Sequence, residues 1–327
     1  MFLPCSAVTA YPGLSHFRVC KDSCLTSGLT RSCLWLSVKV LEVCLMVSQY
    51  RCVKMKAVIL AAGYGTRLLR DLHTHKNEQF RHLIGIPKPL LPIGECPLIS
   101  YWVDALEATE ISEVIVVTND YYHNNFKEWA QKYKSVTLIN DGSSSNEDRL
   151  GAVSCLQLAI DKIKVNDHIL VIGGDTLFYE DFHLKDVIRR FQSLYKDNAS
   201  ANLVLSYTCK DEETRKYGIL ETDEDQRVRA LREKPSPTDT TSRQACPCFY
   251  VLSKDTLQSV REFLQENKDA PLEEKDAPGH FLSWLVNRNP VYVYQISGRF
   301  DVGNLESYIT CDRYFQEKIK NLPNYLQ

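Results

Sequence analysis

Four short runs built almost wholly of apolar residues, each followed by a helix-period stretch, constrain this 327-residue chain more than any other feature. They are residues 55–62 (MKAVILAA), 113–118 (EVIVVT), 136–139 (VTLI) and 168–172 (HILVI). The first reads as a strand buried on both faces, the second as another buried strand, and the last two as a third and a fourth strand. Helix patterns follow at 99–108, 122–134, 150–163 and 183–196, with a further strand at 202–206. The alternation predicts an α/β fold, a mostly parallel twisted sheet with helices on both faces. Ligands in such sheets bind beyond the carboxyl ends of the strands. The first and fourth runs end in glycine, where backbone can approach a ligand closely.

Beyond residue 210 the pattern changes. Strands are expected at 217–221, 227–232, 246–252 and 291–296, and helices at 254–267, 279–287 and 305–320. This half reads as a smaller β-rich substrate lobe continuous with the sheet. Cys246-Pro247-Cys248 fits a plain strand better than a redox motif.

Residues 1–54 stand apart. They carry Arg18, Lys21, Arg31, Lys39, Arg51 and Lys54 against only Asp22 and Glu42, with no strand or helix period. An apolar secretory run is missing at the start, so a secretory signal fits poorly; an organelle transit peptide, basic and serine-bearing, fits better, without a convincing Arg-rich amphipathic helix. The expectation is an extension, disordered or not native, before a folded domain at 55–327. Six of the twelve cysteines precede Met55, and the other six are scattered without C-x-x-C pairs. That distribution argues against zinc and for a reducing, cytoplasmic setting.

Composition narrows the classes of partner. The formal net charge is −2, from 39 basic and 41 acidic side chains, with no cationic block of the kind that binds nucleic acid. No apolar stretch reaches the ~18 residues of a membrane span. Any polyanion must therefore meet a local cluster of cations.

Such a cluster is written into Leu60-Ala61-Ala62-Gly63-Tyr64-Gly65-Thr66-Arg67-Leu68 and, further on, Pro87-Lys88-Pro89-Leu90-Leu91. A glycine-rich turn after a first strand can wrap a triphosphate with backbone N–H groups. Thr66 adds a hydroxyl, Arg67 a permanently charged fork, and Lys88 a compact charge between stiffening prolines. The glycines alone would be weak evidence, since neither G-x-G-x-x-G nor GK[ST] is complete.

The composite resembles the sugar-phosphate nucleotidyltransferase family. Its signature begins L-A-[AG]-G-x-G-T-R-L and P-K-P-L, and the resemblance runs in order through Gly173-Gly174-Asp175, Tyr217-Gly218, Glu233-Lys234-Pro235 and Asp301-Val302-Gly303-Asn304. It implies a Rossmann-like nucleotide-diphospho-sugar transferase fold. It also implies a reaction joining a nucleoside triphosphate to a sugar 1-phosphate, with Mg²⁺ held by Asp175 and Asp301. Arg67, Lys88 and Lys234 would neutralise phosphate charge. Ala62, Gly63, Gly65, Thr66, Asn140 and Gly151 would hold the nucleotide, and Gly218 and Glu233 the sugar. Two departures stand out. Asn304 replaces the threonine common after the metal-binding aspartate. The 21-residue step from Arg67 to Lys88 is about twice the expected length; its extra piece, residues 70–83, carries His73, His75 and His82 and reads as a polar lid.

Other readings stay open. A silent regulatory relative would be free to lose Arg67, Lys88, Asp175 and Asp301. A glycosyltransferase would carry Asp-x-Asp where Gly173-Gly174-Asp175-Thr176 stands. A cytidylyltransferase acting on choline phosphate would need an aromatic cage, which 17 tyrosines and 12 phenylalanines leave open. No motif selects the base or the acceptor.

Overall fold

The computed structural model describes residues 54–320 apart from 75–77, 112, 165 and 180. The expectation for the 1–54 extension therefore lies outside the described residues, save Lys54.

The four apolar runs become β1 (Met55–Leu60), β4 (Val114–Thr118), β5 (Val136–Asn140) and β6 (His168–Gly173), all parallel, in the order β5-β4-β1-β6. Between β1 and β4 lie α1 (Thr66–Thr74), the small hairpin β2 (Pro92–Ile93) and β3 (Cys96–Pro97), and α2 (Leu98–Glu107). Helix α3 (His123–Ala130) joins β4 to β5, and α4 (Ala152–Ile163) joins β5 to β6. The expected parallel core is thus present. Beyond it the sheet is mixed.

After β6 come β7 (Thr176–Phe178), α5 (Leu184–Asp197) and β8 (Asn202–Thr208), then β9 (Gly218–Thr222), β10 (Val228–Glu233), β11 (Gln244–Cys246) and β12 (Phe249–Leu252). Strand β12 runs antiparallel between β6 and β8, while β11 leaves sideways to pair with β8 and β9, and β10 closes that edge. The single strand expected at 246–252 is two strands. Pro247 interrupts them because it has no N–H for a ladder, and each half finds different neighbours. Helices α6 (Gln258–Glu266), α7 (Leu272–Asp276) and α8 (Pro278–Leu285) follow, then β13 (Val291–Gln295), parallel to β8. Last come β14 (Arg299–Asp301), which pairs with β7, and α9 (Leu305–Lys320).

Alternation along the strands fills two layers. Val58, Ile115, Val117, Ile169 and Val171 join one core with Val153 and Leu156 of α4, Val260 of α6 and Phe281 of α8. Leu220, Val228 and Leu231 of the second half belong to the same core, so the β-rich lobe is continuous with the sheet. On the other side Trp102 is fully buried, edge-on to Phe178 and Phe182 and tilted against Phe249. Its indole N–H donates to the Thr176 carbonyl at 2.7 Å, bracing the turn that carries Asp175.

His168 in β6 is a core residue. It is 3 % exposed, accepts the Lys254 N–H on Nδ1 at 3.1 Å, and packs edge-on to Tyr195 and Phe191. Burial, with the nearby Lys254 charge, pushes its pKa down to about 4. In the unfolded chain the ring titrates near ~6.5, so that state takes up the extra proton between the two values. Stability from the neutral ring is complete above ~6.5 and is lost as pH falls toward 4, at most about 3 kcal/mol. Urea unfolding at pH 5 and 7 should show a smaller pH dependence in His168→Gln than in wild type. Equal slopes would exclude this role.

Candidate active site

The cleft forms where β1 and β6 end. Gly174 N–H donates to the Leu60 carbonyl at 3.0 Å, and a Cβ at Gly174 would lie 2.8 Å from that oxygen. Only glycine lets the two strand ends meet so closely. Asp175 follows at once. Asp301 is brought beside it by the β7–β14 pair, in which Asp301 stands opposite Thr176 and Val302 N–H donates to the Asp175 carbonyl at 2.9 Å. Two carboxylates 126 positions apart in sequence thus share one end of the cleft.

The cations gather around them. Lys88 sits in a 3₁₀ turn after Pro87, its ammonium 3.5 Å from Asp175 Oδ2 and its side chain only 13 % exposed. Gly65, at φ +63°, lies under that side chain, with Lys88 Cγ 3.4 Å from where a Cβ would stand. Arg67, on the first turn of α1, reaches toward Gly303, as does Asp301 Oδ1: both atoms lie 3.7 Å from a Cβ built there. Gly63 has open space above it. Thr66 begins α1 and is exposed. The Ala62 carbonyl accepts from Asn119 Nδ2 at 2.9 Å, which ties the glycine turn to the end of β4.

Arg299 is the residue that sequence reasoning missed here. Its side chain is 9 % exposed, and it donates to Asp301 Oδ2, Thr176 Oγ1 and Tyr207 Oη, each at 3.2 Å, under the ring of Tyr217 at 4.6 Å. Burial pushes the Asp301 carboxyl above its usual range, the Arg299 charge pulls it back, and Asp175 pushes it up again. Phe300, between them, turns the other way against Tyr179 and Tyr314.

The second lobe supplies Gly218, Glu233 and Lys234. Gly218 and Glu233 are directly opposed across β9 and β10. Lys234 holds φ +50°, rare for a side-chain-bearing residue. Its N–H donates to the Tyr217 carbonyl at 3.1 Å, and its ammonium is 3.6 Å from Glu233 Oε1. Tyr217 therefore links this turn to Arg299.

Of the remaining predicted residues, Asn140 ends β5 and Gly151 stands just before α4. The Asn140 amide donates to Asp120 Oδ1 at 2.6 Å and accepts the Gly142 N–H at 2.9 Å, closing its own turn. Gly151, at φ +90°, precedes α4 and faces Asp276 of α7, whose Oδ1 accepts the Ala152 N–H at 2.7 Å. Tyr64 reaches the same loop through Ser143, 3.0 Å away. Asn304 caps α9 by accepting the Ser307 N–H at 2.8 Å, a structural role for the departure from threonine. In the extra piece, α1 and a 3₁₀ turn at Glu78–Leu83 bury Leu68, Leu72 and Leu83. His82 bonds within its own turn, to the Gln79 carbonyl, and His75 lies outside the described residues. No cluster of three or more His, Cys, Asp or Glu side chains that could hold a metal occurs among the described residues. No described helix is long and apolar enough to cross a membrane.

A mixed sheet with a parallel core, a glycine turn at the end of its first strand, and Asp175 and Asp301 with Lys88 and Arg67 nearby define an α/β protein with a charged strand-end cleft. The family model for nucleotidyl transferases matches residues 56–318, and the chain belongs to that family. It is 24% identical over 258 residues to a mannose-1-phosphate guanyltransferase of Candida albicans, covering 78% of this chain and 63% of that protein. To a UTP–glucose-1-phosphate uridylyltransferase of Synechocystis it is 22% identical over 279 residues, covering 82% and 65%. The chain thus spans less than two-thirds of these relatives' length. A uridylyltransferase of the same title from Pseudomonas aeruginosa is matched over 96% of its length, at 24% identity and 81% of this chain. The fold is that of UDP-glucose pyrophosphorylase complexed with UDP-glucose: TM-score 0.61, 22% identity, 81% of this chain and 99% of the other.

Proposed function

We propose that residues 55–327 form a catalytic domain that joins a nucleoside triphosphate to a sugar 1-phosphate, releasing pyrophosphate. The convergence of Asp175, Asp301 and Lys88 on one strand-end cleft carries the reading. Family membership over 56–318 and relatives named as guanyl- and uridylyltransferases support it.

An oxygen of the acceptor phosphate attacks the α-phosphorus, a new P–O bond forms, and pyrophosphate leaves with the electrons of the broken bond. The acceptor is already an anion, so no general base and no covalent intermediate are required. The chain's work is positioning and charge neutralisation. The glycine turn at Ala62–Thr66 cradles the triphosphate. Arg67 and Lys88 face its phosphates, and Lys234 meets the acceptor phosphate. Gly218 and Glu233 receive the sugar, and Asn140 and Gly151 stand on the base side. Asp175 and Asp301 suit Mg²⁺, because they are hard oxygen donors at one end of the cleft; burial first, and the Asp175 charge after it, raise the Asp301 carboxyl, a cost that a bound cation would offset. When bound, that ion supplies further neutralisation of phosphate charge. The six described cysteines are all free, which fits a cytoplasmic setting.

A matrix of five nucleoside triphosphates against several sugar 1-phosphates, with Mg²⁺, scored by pyrophosphate release, tests this. One pair should turn over, and Asp175→Asn should lower its rate by about 10²–10³. Wild-type-like release from Asp175→Asn would remove Asp175 from the site.

A further inference from the structure

We infer that Gly279 is a specificity-determining residue: it opens the space in which the Glu233 carboxylate must lie to receive the acceptor. The inference rests on the reading of Glu233 as the sugar-facing carboxylate. A Cβ at Gly279 would stand 1.8 Å from Glu233 Oε2 and 2.8 Å from its Cδ. Gly279 is not among the residues with positive φ, so its backbone would accept any side chain. Space, and not conformation, is what a substitution would change: a side chain there would push the Glu233 carboxylate, the end of a flexible side chain, out of its place. The opposite wall is Gly218, whose Cβ would come within 3.1 Å of the same oxygen. One carboxylate is thus held between two glycines contributed by β9 and α8. The α8 side is also the favourable one for a negative charge, since helix N-termini carry partial positive charge. The clamp leaves the Glu233 side chain 16 % exposed and its Oε1 directed toward Lys234 at 3.6 Å. A carboxylate fixed at that depth discriminates among acceptors by where their hydroxyls fall, because a misplaced hydroxyl leaves a desolvated acceptor unpaired.

The test is a steady-state cycle on the acceptor and triphosphate pair that wild type turns over. Gly279→Ala should lower kcat/KM for the sugar phosphate by about 10–10²-fold, the loss of a charged hydrogen bond or two, with the triphosphate KM changed less than about threefold. Gly218→Ala, the milder intrusion, should do less. Glu233→Asp withdraws the carboxylate by one methylene and should by itself impair the acceptor step. Combined with Gly279→Ala it should restore activity above the product of the two single losses, because the shorter side chain vacates the space of the new methyl. Melting temperatures of all variants separate this from misfolding, and Gly218→Ala with Glu233→Asp reads the clamp if Gly279→Ala does not fold. An unchanged kcat/KM for the sugar phosphate in Gly279→Ala, or strictly multiplicative losses in the double variant, would overturn the clamp while leaving the enzyme reading intact. A wild type that turns over no pair would overturn both.

Discussion

Replacing Lys88 by methionine should lower turnover by about 10²–10³-fold and leave the melting temperature close to wild type. Methionine keeps an unbranched apolar stem, so the packing over Gly65 survives while the charge is lost. The ammonium is held 3.5 Å from Asp175 on a turn with proline on either side, and in the proposed reaction it meets the triphosphate charge. Its ion pair with Asp175 adds little to stability, because that carboxylate is 38 % exposed and surface pairs are weak. The expected signature is a fall in kcat with a smaller change in triphosphate KM, since the charge matters most as the bond to pyrophosphate breaks. Full activity in Lys88→Met, measured by pyrophosphate release, would mean that the cleft does not use this cation.

Arg299→Met is the counterpart on the other carboxylate, and there the larger effect should be on folding. The guanidinium is 9 % exposed and makes three hydrogen bonds to three different strands, while Asp301 is 30 % exposed. Removing the cation leaves Asp301 without its ion pair and empties the space under Tyr217. A loss of about 2–3 kcal/mol is expected, below the full value for a completely buried pair. Adding Asp301→Asn should recover about half of it, because the stranded charge is gone. Chemical denaturation of the two single variants and the double variant measures this. Additive losses would show that the pair is not coupled. Turnover should also fall in Arg299→Met, since Asp301 Oδ2 is no longer held while Oδ1 points toward Gly303.

Much of this was legible in the chain itself. The apolar runs were readable as strands of a mostly parallel sheet, and β1, β4 and β6 are indeed buried, but β5 at the sheet edge exposes Thr137, and the order β5-β4-β1-β6 came only with the fold. Lys88 and the glycine turn were readable because their chemistry is local: prolines, glycines and a cation within a few residues. Asp175 and Asp301 could be named from a family pattern. Their adjacency came only with the β7–β14 ladder, which no local signal announced.

What the folded chain alone decided concerns residues whose reason for existing lies far away in sequence. Gly279 looks like an ordinary helix-start glycine until Glu233 is found in the space its side chain would fill. Arg299 looks like a neighbour of Asp301 until Thr176, Tyr207 and Tyr217 close around it. Asn140, read as a base-side residue, has its amide engaged by Asp120 and Gly142. Sequence determines which stretches must be buried and which short turns can hold phosphate, because those depend on period and local backbone freedom. Steric exclusion and the pairing of buried charge act between atoms that only tertiary packing brings within a few ångströms, so the space around Glu233 and the hold on Asp301 were decided there.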